Sequence, residues 1–236
     1  MNVIGKIHCA ASFAASGGPG VRYIVSMQGC PLRCVHCHHP DSCDVSGGME
    51  ISDRELFEDI LRYKDDIRAG GVTFSGGEPL MQSDFLNAVT ARLKEEQIHV
   101  AVDTSGAIAL ERAQPVLEKS DLLLLDIKTL DTADEQQSAG VFSKNAQDYL
   151  ALCEKMGKPV WIRYVLVSGT SLSMEMLEML AERLSTFRCI ERVALIPLCN
   201  LGKVKRSLDC ELQDVLPPTE QEIIVATNIF REYKLL

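Results

Sequence analysis

No stretch of the sequence approaches the roughly 18 consecutive apolar residues of a membrane span. The densest apolar run, Leu122 to Leu125, has only the length of a strand core. The N-terminal MNVIGKIHCAASFAASGG has an Ala-rich stretch but no basic region ahead of it, and Lys6 and His8 interrupt its apolar residues. A secretory signal is therefore not expected, and the expected location is cytoplasmic, where thiols stay reduced. A basic excess is also missing. Twenty-four Lys+Arg against 33 Asp+Glu give 24 − 33 = −9, which argues against a nucleic-acid binder. Internal repeats, low-complexity tracts and linkers are absent as well, so a single domain over 1–236 is expected. A chain with 46% hydrophobic and 24% charged residues is neither disordered nor collagen-like.

What is present in unusual number is cysteine, nine in 236 residues. A chain of this size buries most of its surface on folding and needs no disulfide staples. The count is odd, so metal ligands and ordinary thiols explain it better than a disulfide framework.

Short β-branched runs alternate with amphipathic ones. Val21–Met27, Val72–Phe74, Val100–Val102, Leu122–Asp126, Val160–Val167 and Val193–Ile196 read as strands. Asp53–Tyr63, Ser83–Glu96, Leu110–Lys119, Ala146–Met156, Met174–Leu184 and Thr219–Tyr233 read as helices, with Ser52, Ser83, Ser173 and Thr219 as N-caps, the last followed by Glu222 in capping-box spacing. About six such units imply a parallel α/β sheet, either an open partial barrel or a doubly wound fold. Both architectures place ligands at the carboxyl ends of the strands.

Chemistry-bearing residues gather at those ends. After the first strand, Cys30, Cys34 and Cys37 occupy one Gly/Pro-bounded loop in the spacing Cys-x3-Cys-x2-Cys. Three thiolates so placed can hold three irons of a four-iron cluster and leave the fourth open. The same loop fits a structural Cys3His zinc site completed by His36, His38 or His39. The second strand runs into Gly76-Gly77-Glu78-Pro79, where the glycines admit a ligand close to the backbone and Glu78 can accept from an ammonium group. The third ends at Asp103-Thr104, the fourth at Asp126-Ile127-Lys128, the fifth carries Arg163, and the sixth leads to Pro197-Leu198-Cys199. Asp103 and Asp126 on neighbouring strand ends would repel unless Lys128 or a monovalent cation lies between them. Lys203-Val204-Lys205-Arg206 reads as a solvated basic loop, with docking of a partner or electron donor as the alternative.

Taken together these motifs resemble the radical S-adenosylmethionine enzymes, and within them the activating enzymes of glycyl radical enzymes, of the pyruvate formate-lyase type. The resemblance rests on Val3–His8, Gly18–Arg22, the cysteine loop with His38, Gly70–Thr73, Ser75–Glu78, Asp103–Gly106, Asp126–Lys128, Trp161–Val165 and Leu201–Lys203. It implies a partial (β/α)6 barrel of the radical S-adenosylmethionine type, with the cluster loop at 29–40, and a 4Fe-4S cluster on Cys30, Cys34 and Cys37. It also implies S-adenosylmethionine held by His36, His38, Gly76, Gly77, Glu78, Asp126, Lys128 and Cys199. A monovalent cation at Asp103, Thr104 and Asp126, and contact of Arg163, His38 and position 17 with the partner's glycyl loop, follow in the same way. The implied partners are pyruvate formate-lyase or a relative, and flavodoxin or ferredoxin as electron donor; the implied state is a monomer.

Three positions depart from the family pattern. Gly17 stands where an aspartate is usual, Cys199 where a histidine is usual, and His36 fills the aromatic position between the second and third cysteines. Only Cys43 follows the loop closely, so no ferredoxin-like insert and a single cluster are expected. Competing readings are an activase of another glycyl radical enzyme, a short radical enzyme acting on a small molecule or ribonucleotide reductase, and a zinc-binding interaction protein without catalysis.

Overall fold

The computed structural model describes residues 2–14, 17–34, 37, 40–127, 144–169, 171–198 and 216–236. Among the described residues, eight strands form one sheet in the order β3-β1-β2-β4-β5-β6-β7-β8, with β3 and β8 at its edges. They are β1 Ile4–Ala14, β2 Arg22–Met27, β3 Met49–Ser52, β4 Gly71–Gly76, β5 Val100–Thr104, β6 Leu122–Ile127, β7 Val160–Leu166 and β8 Ile190–Pro197. The helices are α1 Asp53–Leu61, α2 Ser83–Glu95, α3 Leu110–Lys119, α4 Lys144–Met156, α5 Met174–Ser185 and α6 Glu220–Glu232. The chain divides into two compact units, Met1–Arg33 with His39–Leu124, and Cys34–His38 with Leu125–Leu236.

All six strands and six helices expected from periodicity are present. The sheet, however, is mixed rather than wholly parallel. β2, β4 and β5 run parallel, as do β7 and β8, whereas β1 pairs antiparallel with both β2 and β3. Sequence reasoning missed β1 and β3 for a physical reason. β1 is rich in Ala and β3 is four residues long with Met49 exposed, so neither carries the β-branched run of a buried strand. β3 also stands between Ser46-Gly47-Gly48 and α1.

In the first unit, α1 buries Leu56 and Ile60, and α2 buries Phe85, Leu86, Val89 and Leu93, at helical spacing. β6 buries all of Leu122 to Leu125, the continuous apolar pattern of a strand covered on both faces. Each such leucine contributes about 1.5–3 kcal/mol. α1 begins in a full capping box of Ser52 and Glu55. Ser83, by contrast, is the first residue of α2 rather than its cap, and its hydroxyl donates to the Leu80 carbonyl.

Arg22 closes the amino-terminal side of this sheet. Its side chain is buried, with Nε donating to Thr73 Oγ1 at 2.6 Å and the remaining N–H groups reaching the carbonyls of Pro19, Gly70 and Val72. Burial pulls its pKa down to about 10 while Asp121 pulls the other way. The Gly70-Gly71 pair is needed there because a Cβ on either would stand 2.0 Å from a backbone oxygen, of Val21 or His99.

In the second unit, β7 alternates buried and half-buried residues along its whole length. Beyond it, Ser171 Oγ accepts from Val167 N at 2.7 Å and donates to Val165 O at 2.8 Å. α6 starts in the capping box foreseen from Thr219 and Glu222, and Ser168 Oγ donates to Glu222 at 2.9 Å. No helix among the described residues is long and apolar enough to cross a membrane.

Candidate active site

The cysteine loop leaves β2 at Gln28 and is held at its stem by main-chain bonds. Gly29, at φ +96°, donates to Ser42 O at 2.7 Å, and Cys30 N donates to Cys43 O at 3.3 Å. The end of β4 joins from the other side, Gly77 N donating to Met27 O at 2.9 Å and Glu78 N to Gly29 O at 2.8 Å. A Cβ at Gly76 would lie 2.5 Å from Met27 N, and one at Gly77 would lie 2.2 Å from Gly29 O. These two glycines are therefore required by the close approach of the chain to itself, a second reason for them besides ligand approach.

Arg33 donates through Nη1 to the Cys30 carbonyl at 2.8 Å. In the second unit's short segment, Cys37 N donates to Cys34 O at 3.1 Å, a turn that brings these two residues together. Cys30, Cys34 and Cys37 are partly exposed thiols, not disulfide halves. Cys153 and Cys189 differ from them. Both are buried, and burial pushes each thiol up to about 12, the behaviour of inert core cysteines.

Glu78 is the hub of the β4–β5 end. It is 1% exposed. Its Oε1 accepts from Thr104 Oγ1 at 2.7 Å and Leu80 N at 3.2 Å. Its Oε2 accepts from Ser105 N at 3.0 Å and Ser105 Oγ at 2.6 Å. Burial pushes the carboxyl pKa up, and the four donors oppose that rise. Thr104 uses its hydroxyl twice, donating to Glu78 and accepting from Gly106 N at 3.0 Å. Asp103 accepts from Ser75 Oγ at 2.7 Å and is half-buried. The structure thus brings together Gly76, Gly77, Glu78 and Thr104, with Asp103 one residue away.

Gly17 is buried, and its carbonyl accepts from Thr73 Oγ1 at 2.6 Å. A Cβ there would stand 3.0 Å from Ile24 Cδ1 and 3.3 Å from Thr73 Oγ1. In the second unit Asp126 and Arg163 form an ion pair at 3.3 Å. His36, His38, Lys128, Cys199 and the basic stretch 203–206 lie outside the described residues. Sequence reasoning passed over Gln28 and Ser105. The first is a buried amide between strand and cysteine loop, and the second is an ordinary Ser-Gly turn whose hydroxyl finds its partner 27 residues away.

The Radical SAM superfamily profile matches residues 24–184, from β2 to α5. The chain belongs to the radical SAM superfamily. It is 39% identical over 218 residues to the pyruvate formate-lyase-activating enzyme of Clostridium pasteurianum, covering 90% of this chain and 91% of that one. It is 34% identical over 242 residues to the pyruvate formate-lyase 1-activating enzyme of Escherichia coli K12, covering 99% and 98%. Among solved structures it is similar to a domain of pyruvate-formate lyase-activating enzyme from Bacteroides vulgatus. That match has TM-score 0.55 and 28% identity, over 70% of this chain and 96% of that one.

Radical SAM membership implies a 4Fe-4S cluster and S-adenosylmethionine. The donor chemistry here fits the cluster: three reduced, partly exposed thiols stand within eight residues, the first on a stem pinned by main-chain bonds. Among the described residues no three thiol, imidazole or carboxylate groups already converge on one metal-sized point. The donor set and the radical SAM family therefore carry the assignment.

Proposed function

We propose that this protein activates a glycyl radical enzyme, pyruvate formate-lyase in the first place. The observation that carries the reading is the cysteine loop at the end of β2, in a chain similar over nine-tenths of its length to pyruvate formate-lyase-activating enzymes. The whole chain acts as one radical SAM domain, a reading supported by a family match that runs through both compact units. When bound, the cluster and S-adenosylmethionine would supply the chemistry, one-electron reductive cleavage of the sulfonium coupled to removal of a hydrogen atom from a glycine Cα of the partner.

The chain's own residues hold, orient and exclude water. Cys30, Cys34 and Cys37 ligate three irons. Gly76 and Gly77 present backbone to the methionine end of S-adenosylmethionine. Glu78 fixes that backbone against Thr104 and Ser105 while sharing its carboxylate with the ligand's amino group. His36, His38, Asp126, Lys128 and Cys199 line the rest of the pocket. Asp103, Thr104 and Asp126 hold a monovalent cation, for which two half-buried carboxylates at strand ends are suitable donors. Arg163, His38 and Gly17 meet the partner's glycyl loop. Flavodoxin or ferredoxin delivers the electron, and the protein works as a cytoplasmic monomer.

Anaerobic reconstitution tests this reading. About four irons per chain, reductive formation of 5′-deoxyadenosine, and a glycyl-radical doublet on added pyruvate formate-lyase are expected. Cys34→Ala should abolish the cleavage, since two thiolates cannot keep a cluster with one open iron. Stoichiometric zinc with no cleavage would overturn the proposal.

A further inference from the structure

The turn Ser46-Gly47-Gly48 has no part in the chemistry above, yet it is shaped around one side chain. Gln28, the last residue before the cysteine loop, is 4% exposed. Its Nε2 donates to two carbonyls of the segment that returns from the loop, Asp41 at 3.1 Å and Asp44 at 2.6 Å. Its Oε1 lies 3.1 Å from His8 Nδ1. Gly48 sits at φ +84°, and a Cβ on it would stand 2.8 Å from both Cβ and Cγ of Gln28. A Cβ on Gly47 would stand 3.0 Å from Gln28 Nε2. The paired glycines therefore make the space in which this amide lies.

The main chain of Gln28 is held as firmly. Its N donates to Lys6 O at 3.0 Å, and its carbonyl accepts from Gln82 Nε2 at 2.9 Å. Gln82 also donates to Lys6 O and accepts from Lys6 N, both at 2.7 Å. Four chain segments meet at this point: β1, the end of β2, the segment after the loop, and the turn Pro79–Gln82 that follows β4.

We propose that Gln28 is the positioning residue of the cluster loop, clamping the returning segment 41–44 to the strand end that bears Cys30. The inference rests on the assignment of Cys30 as a cluster ligand. Cys30 N donates to Cys43 O, and its carbonyl accepts from Arg33 Nη1. The rungs Gly29–Ser42 and Cys30–Cys43 tie the two stems together, and the carbonyls held by the Gln28 amide, of Asp41 and Asp44, flank Ser42 and Cys43 on either side. Without that amide two carbonyls lose their donor, the two-rung ladder opens more often, and the first thiolate loses its fixed direction.

The test uses the full chain in apo and reconstituted forms. Gln28→Met keeps the length and removes the donors. In the apo protein, amide exchange at Gly29 and Cys30 should quicken about tenfold, the equivalent of two lost hydrogen bonds, with β5 amides unchanged. In the reconstituted protein, loss of iron to a chelator should quicken by a similar factor. On adding S-adenosylmethionine, the reduced-cluster spin resonance signal should convert only in part where the parent protein converts fully. Gln28→Glu, which keeps an acceptor toward His8 but no amide donor, should behave as Gln28→Met. Gly48→Ala should reproduce the effect by displacing the Gln28 side chain, and it stands in if Gln28→Met does not fold. Unchanged exchange at Gly29 and Cys30, or faster exchange with unchanged iron retention, overturns the proposal. A parent protein that binds no iron refutes the cluster reading and with it the positioning role, while the exchange measurement separately reports whether the clamp exists.

Discussion

Arg22, Asp53 and Glu78 of the first unit expose 0%, 2% and 1% of their surface, and each faces several fixed hydrogen-bonding groups of its own chain. At the described strand ends of the second unit the charges are arranged otherwise. Asp126 and Arg163 leave 20% and 26% of their side chains accessible and face each other at 3.3 Å. Just past β7 the buried Ser171 hydroxyl serves the main chain of Val165 and Val167. A buried charge with preset donors cannot change partner without leaving those donors unsatisfied. A pair that water reaches can trade partners cheaply. The first unit thus holds its buried charges in preset hydrogen-bond sets, and the second holds an ion pair that keeps contact with water.

Glu78→Ala is the substitution with the largest expected effect on that contrast. It strands Ser105 N and Leu80 N in a buried site, while the hydroxyls of Thr104 and Ser105 can turn elsewhere. The expected loss is about 2–4 kcal/mol, at about 1–3 kcal/mol per unsatisfied buried group with partial relaxation. In a chain of this size that lowers the melting temperature by about 5–15 °C. Denaturant unfolding of the apo protein measures it directly. A loss under about 0.5 kcal/mol would mean that Glu78 is held for its ligand alone and would erase the difference between the two units.

This hub shows what the sequence disclosed and what it concealed. Gly-Gly-Glu-Pro after a β-branched strand marked a strand-end turn, and the turn is there, because strand period and glycine are local signals. The partners of Glu78 were hidden, because Thr104 and Ser105 stand 26 and 27 residues away and only the sheet order brings them together. Gln28 was hidden for the same reason, its role depending on the paths of two loops. The three cysteines were legible because metal chemistry imposes a short spacing within one loop. β1 was not legible, since an Ala-rich strand takes its stability from pairing with β2 and β3, which residue propensity does not report. The α6 capping box was fully readable, because all its bonds lie within four residues.

Asp53 sharpens the comparison through pH. Burial alone would push its carboxyl up, but the hydrogen bond and charge of Arg92, 2.9 Å away, and the Val3 N–H outweigh that and hold it below the usual carboxylate range. A folded-state pKa below the unfolded one means that its stabilisation is complete above the ordinary value of about 4. It is lost as pH falls through the folded-state value. Asp53→Asn should therefore cost about 1–2 kcal/mol at neutral pH. The gap to the parent protein should close as the pH falls below about 4. A gap independent of pH would show that the carboxylate's charge plays no part and that only its shape is needed.

The smallest effect is expected at Asp126 and Arg163. Both side chains keep some water, and their separation of 3.3 Å permits attraction. Exposed pairs couple by about 0.2–1 kcal/mol, and partial burial moves this pair toward the upper end. A cycle of Asp126→Ala, Arg163→Ala and the double variant in the apo protein should give a coupling of about 0.5–1 kcal/mol. Raising ionic strength from about 0.1 M to 1 M shortens the screening length from about 10 Å to 3 Å, and the coupling should weaken with it. A coupling above about 2 kcal/mol that ignores salt would place this pair with Glu78 as fixed architecture. A small, salt-sensitive coupling leaves Arg163 able to leave Asp126 for an incoming chain at little cost, which its proposed contact with a glycyl loop requires.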